Sequence, residues 1–162
     1  MFDEISANFQ KKHFLTAEEF FAIVIWKSNR AKTKVLKGIK EDGRTVEKLT
    51  KDVHQENDLE KKVEILNSVS GIGIPIASAV LTVCYPDIFT IVDYRASQTL
   101  NELGRNFKGD PTTSVSVYME YVETCSQFAK KEGLSLRDTD RVLWGYDFYE
   151  GKDGLKNLVK QL

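Results

Sequence analysis

The sequence predicts an all-α fold, and three observations predict it. Apolar residues recur at spacings of three and four through most of the 162 residues, the period of one face of a helix. Helix-starting signals precede several of these stretches, as at Thr16-x-x-Glu19 and Ser135-x-x-Asp138. The one strand-like run, Ile88–Val92, has no second run to pair with, so a buried connector is expected there instead of a sheet. A single domain, 1–162, of about eight to ten helices follows.

Taken in order, Asp3–Lys12 is a short amphipathic segment with Ile5 and Phe9 four apart. The capping box at Thr16 opens a helix from Ala17 to about Arg30. Phe20, Phe21, Ile23, Val24 and Trp26 make it apolar nearly all round, which places it at the centre of the core. Lys27, Arg30, Lys32, Lys34, Lys37 and Lys40 then supply six cations before the first carboxylate, Glu41. Such a run is either a solvated helix face or an edge turned toward phosphate.

Asp42-Gly43 ends that element. Thr45–Gln55 is a charged helix with Val46, Leu49 and Val53 inward. Asp58 caps Leu59–Asn67, whose Leu59, Val63 and Leu66 face the core. Ile74–Cys84 is almost wholly apolar, with Pro75 allowed in its first turn. Tyr85-Pro86-Asp87 stops it. Asp93 opens a helix that Gly104 closes after Leu103, and the polar loop 105–113 follows. Ser114–Lys131 is a long helix ended by Gly133, with Val117, Tyr121, Val122, Cys125 and Phe128 inward. The last main helix starts at Ser135 and carries Val142, Leu143, Trp144 and Tyr146, and 154–162 is a short helical tail.

Composition is that of an ordinary globular protein, 41% hydrophobic and 29% charged. The two cysteines, Cys84 and Cys125, are too few for a disulfide framework or a four-cysteine iron–sulfur cluster, and their apolar surroundings suit buried free thiols. No stretch has membrane-spanning length and the N-terminus carries no cleavage pattern, so a cytoplasmic protein without a membrane partner is expected. A formal net charge of −1 rules out a chain that is basic all over. It leaves open a basic patch on one face. His13 and His54 have no Cys/His cluster around them, so no metal site is expected.

The densest signal lies in Leu66–Leu100. There Gly71-Ile72-Gly73 separates one helix end from the apolar helix that follows. Glycines permit φ > 0 in the turn and leave no side chain between backbone and ligand. Amides of Gly73, Ile74 and the next residues would face outward at a helix N-terminus, a ready phosphate site. The pattern resembles the helix-hairpin-helix motif that grips a nucleic-acid backbone. With Asp93 twenty residues beyond Gly73 and ahead of a helix, it is similar to the helix-hairpin-helix superfamily of base-excision DNA glycosylases.

That resemblance implies a compact, two-lobed helical domain with a central hairpin, and double-stranded DNA as partner. It also implies that Gly71, Ile72, Gly73, Ile74 and Ala77 hold the DNA backbone and that Asp93 is the catalytic carboxylate. Lys27, Arg30, Lys32, Lys34 and Arg95 are candidate phosphate contacts; Trp26, Tyr94 and Trp144 are candidate walls of a base pocket. The only cofactor for which the hairpin offers a place is a monovalent cation at its carbonyls. In family members that also nick the strand, a lysine two residues after the second hairpin glycine forms a Schiff base. Here that residue is Pro75, so the expectation is a monofunctional hydrolase.

Residue type alone gives each candidate a second reading. An aspartate before a helix is a standard N-cap. Arg95 can pair with an acid, and tryptophans at helical spacing are core more often than platform. The competing functions are a DNA-binding module without turnover and a helical protein–protein interaction domain.

Overall fold

Helices account for the ordered framework because nearly every expected start and stop signal is used. The computed structural model describes residues 1–105, 107–151 and 154–160. Among them are ten α-helices, one short 3-10 turn and no strand. The chain divides into two units, Met1–Phe89 and Thr90–Leu162.

The first unit holds α1 (Phe2–Lys12), α2 (Ala17–Ser28), α3 (Lys32–Asp42), α4 (Val46–Gln55), α5 (Leu59–Asn67) and α6 (Ile74–Cys84), with the 3-10 turn Asn29–Ala31 between α2 and α3. Thr16 and Glu19 form the reciprocal capping box, and Thr45 and Asp58 cap α4 and α5 by accepting amides three residues on. Helix α6 is the centre: α1, α2 and α5 all pack on it, and nine of its residues are buried.

That centre was expected in α2, and the difference is one of face. Phe20, Ile23 and Val24 of α2 are buried, whereas Ile25 and Trp26 are about half exposed. Helix α2 also stops at Ser28, before Arg30. Leu59, expected inward, is exposed at the first turn of α5, while Val63 and Leu66 are buried as expected.

Lys62 adds a feature that helical periodicity does not signal. It is 6% exposed, and its ammonium donates to the carbonyls of Val53 (2.7 Å) and Glu56 at the end of α4. It also lies 4.9 Å from the Tyr85 ring centre. A cation here satisfies carbonyls that the helix leaves unpaired and meets the negative end of its dipole. Burial pushes the Lys62 amine below its ordinary range. Nearby, His13 stacks on His54 with ring centres 4.2 Å apart, and His54 Nδ1 lies 3.4 Å from the Tyr85 hydroxyl.

The second unit holds α7 (Tyr94–Glu102), α8 (Val115–Glu132), α9 (Leu136–Glu150) and α10 (Leu155–Val159). Helix α9 is its hub, packing against the other three. Tyr118, Tyr121, Cys125 and Leu143 form its core, each no more than 1% exposed. Val142, Trp144 and Tyr146 stay on the outside of α9. Cys84 and Cys125 are buried free thiols, one in each unit.

Candidate nucleic-acid interface

The turn between α5 and α6 is built against α3. Gly71 takes φ +88°, and a Cβ there would sit 2.8 Å from the carbonyl oxygen of Lys34. Gly38 meets the turn from the other side: a Cβ on it would lie 1.6 Å from the Ser70 carbonyl oxygen. Both residues must therefore be glycine for α3 and the turn to touch along their backbones. The contact places Lys34, whose side chain is exposed, next to the turn. Gly38 carries no helical signal of its own; a glycine inside a charged helix was the only hint that something approached it closely.

Gly73 differs from both. It is exposed, its φ of −78° and ψ of 169° suit any residue, and the nearest neighbour of an added Cβ is Pro75 Cδ at 3.7 Å. The fold makes no demand for glycine there. Its role is N-cap of α6, accepting the amides of Ile76 and Ala77 through its carbonyl.

Of the five residues expected to hold a DNA backbone, two are already engaged through their amides: Ile72 donates to Val69 (3.0 Å) and Ala77 to Gly73 (3.0 Å). The side chains of Ile72, Ile74 and Ala77 are buried. Gly71, Gly73 and Ile74 are left, and no backbone acceptor among the described residues receives their amides. Pro75 brings no N–H. The amides of Gly73 and Ile74 lie at the positive end of the 11-residue α6, and that of Gly71 lies in the turn whose backbone touches α3 at Lys34.

The cations divide by what they already touch. Lys32 donates to the Asn29 carboxamide and Lys37 pairs with Glu41. Lys27 and Arg30 stand at the end of α2 and in the 3-10 turn. Trp26, 53% exposed, is held edge-on to Phe2 with centres 4.9 Å apart.

In the second unit, Asp93 caps α7: its Oδ1 accepts the Ala96 amide at 3.0 Å. The connector before it is fixed without a sheet. Tyr118 donates to the Thr90 carbonyl (2.9 Å) and Tyr121 to the Ile91 carbonyl (3.2 Å). Burial raises both phenols well above their ordinary range, so they remain protonated donors. Two consecutive carbonyls of the connector, two and three residues before Asp93, are thereby satisfied. Tyr121 is inward as expected; Tyr118, not among the residues expected inward, is equally buried and holds the neighbouring carbonyl.

Arg95 is already paired. Its Nη1 lies 2.7 Å from Oδ2 of Asp147, which is buried, and its guanidinium stands 5.9 Å from the Phe148 ring centre. Trp144 stacks on Phe148 at 5.2 Å with planes 10° apart. Arg95 and Trp144 therefore belong to one cluster on the α7–α9 face, and Arg95 is first an ion-pair partner. Tyr94 is 72% exposed. Trp26 lies in the first unit, away in sequence from that cluster.

Among the described residues no group of three or more His, Cys, Asp or Glu side chains is arranged to hold a metal ion. No helix there is long and apolar enough to cross a membrane. Compared with known family models, curated proteins and solved structures, the chain matches none.

Proposed function

We propose that this chain binds the backbone of duplex DNA through the α5–α6 turn and removes a base by hydrolysis, with Asp93 as the acting carboxylate. The observation that carries the binding half is Gly73. A glycine that neither conformation nor packing requires, beside amides with no backbone acceptor, is what a surface for close backbone approach needs. Lys34 and the cations around it supply charge complementary to phosphate.

For the reaction, the base departs with the electron pair of the C1′–N bond and takes up a proton. The sugar becomes an oxocarbenium-like cation, which a fixed carboxylate stabilises. Water then adds at C1′ and gives its proton to Asp93 or solvent. The products are free base and an abasic strand. Proline in place of the family's lysine leaves no amine at that position to attack C1′, so no Schiff base forms there. The cap bond from Asp93 and the tyrosine-held connector support a carboxylate kept in one place.

The test pairs two measurements. Titration of labelled duplex at several salt concentrations should show affinity falling steeply with salt, and Gly73→Val should bind at least about tenfold more weakly. Among duplexes carrying an unpaired or mispaired adenine, uracil, alkylated purines, hypoxanthine or oxidised guanine, at least one should break, and only after hot alkali. Binding without any alkali-sensitive product would leave a DNA-binding module. No binding at low salt would end the nucleic-acid reading.

A further inference from the structure

The exposed face of α7 carries a groove of about 460 Å³ lined by Tyr94, Ser97, Gln98, Asn101 and Glu102. The spacing follows the helix: Tyr94, Gln98 and Asn101 are four and three residues apart, so they share one face in successive turns. Ser97 is nearly buried and its hydroxyl is spent on the Tyr94 carbonyl at 3.0 Å, which makes it floor. Tyr94 presents a bare ring. The carboxamides of Gln98 and Asn101 have no hydrogen-bonding partner among the described residues. Glu102 ends the row with an acceptor-only group.

These are the parts of a base-reading surface. A ring stacks on any base face. A carboxamide offers one donor and one acceptor side by side and matches adenine's N6–H and N7. A carboxylate accepts from an exocyclic amine and repels a keto oxygen. Asp93 stands at the N-terminal end of the same helix, one residue before Tyr94.

We infer that this face receives an unpaired base bearing an exocyclic amine, adenine above all, with Tyr94 stacking on its ring and Gln98 and Asn101 reading its edge. This rests on the proposed DNA-binding reading and adds the class of base.

The experiment measures binding by anisotropy in an Asp93→Asn background, so that no base is removed. Four labelled duplexes are compared: fully paired, with one unpaired adenine, with unpaired hypoxanthine, and with an abasic site at the same place. Hypoxanthine has adenine's shape with the amine replaced by a keto oxygen. Adenine should bind about tenfold or more tightly than hypoxanthine and the abasic duplex. Gln98→Leu and Asn101→Leu should each reduce that preference while leaving fully paired duplex unchanged. Tyr94→Ala should bring both unpaired-base duplexes to the abasic level, and Tyr94→Phe should keep the stacking. Equal affinity for adenine and hypoxanthine, or a preference that survives the leucine variants, overturns the inference while fully paired binding stands. Absence of binding to all four duplexes overturns it together with the DNA reading.

Discussion

Gly71 rests against Lys34 so closely that one added methyl group would lie 2.8 Å from the lysine's carbonyl carbon and oxygen. Gly71→Ala must therefore strain a φ of +88° and push α3 away from the turn. The expected loss is about 1–3 kcal/mol of stability. Gly73→Ala meets neither obstacle and gives up only glycine's preference for the N-cap, so it should cost about 0.5 kcal/mol. Urea denaturation of the two variants checks the contrast. Equal losses would mean that the turn is not pinned to α3 by Gly71.

Charge removal should act differently from turn substitution. Lys34→Gln is expected to lower the slope of log affinity against log salt by about one and to weaken all duplex sequences alike. Paired Lys37 should change the slope less, because Glu41 already shares its charge. A Lys37→Gln effect as large as that of Lys34→Gln would disconnect the turn from the binding surface.

The catalytic proposal turns on Asp93. Asp93→Asn keeps the shape and can still accept the Ala96 amide, so binding should survive and base removal should disappear. Tyr121→Phe leaves the Ile91 carbonyl without its donor. It should cost about 1–3 kcal/mol of stability and lower turnover more than affinity. Full turnover in Asp93→Asn would remove the carboxylate from the mechanism.

Acid should loosen the first unit through His54. Burial, then the neighbouring His13 and Lys62, hold its imidazole below the ordinary value of 6.5. The unfolded chain takes up this proton near pH 6.5 while the folded chain resists it. This contribution is thus fully present above about pH 6.5 and is lost as pH falls below it. Urea midpoints should be level between about pH 7 and 8 and decline toward pH 5.5. His54→Gln should flatten part of the decline. An unchanged profile in the variant would assign the decline to other groups.

Lys62→Met replaces a buried cation by an apolar chain of similar length. The carbonyls of Val53 and Glu56 lose their donor, at a cost of about 1–3 kcal/mol. Hydrogen exchange in the last turn of α4 should rise with it. A variant as stable as the parent would show that water replaces the ammonium.

Periodicity and caps made most helices readable, because Thr16, Thr45, Asp58, Asp93, Ser114 and Ser135 each accept the amide that their positions imply. What stayed hidden needs knowledge of neighbours. Trp26 and Ile25 are as apolar as Ile23, and only packing decides which of them face outward. Gly38 and Ser70 are thirty-two residues apart, and no local pattern says that their backbones touch. The turn glycines stand out in the sequence, yet their division of labour does not: Gly71 lies with its backbone against α3, whereas Gly73 caps α6 through its carbonyl and needs no glycine-only conformation. Arg95 offered two readings to the sequence, and buried Asp147, fifty-two residues on, decides its first partner.

The two thiols, one buried in each unit, have a practical consequence. Burial pushes the Cys84 thiol far up and the Cys125 thiol up to about 12, so neither forms the thiolate that alkylating reagents and oxidants attack. A native sample should ignore such reagents at neutral pH, and each thiol should become labelled only when its own unit opens. Mass spectrometry of the separately labelled peptides would then time the opening of residues 1–89 and of residues 90–162 independently. The chain carries its own pair of clocks, requiring no engineered probe.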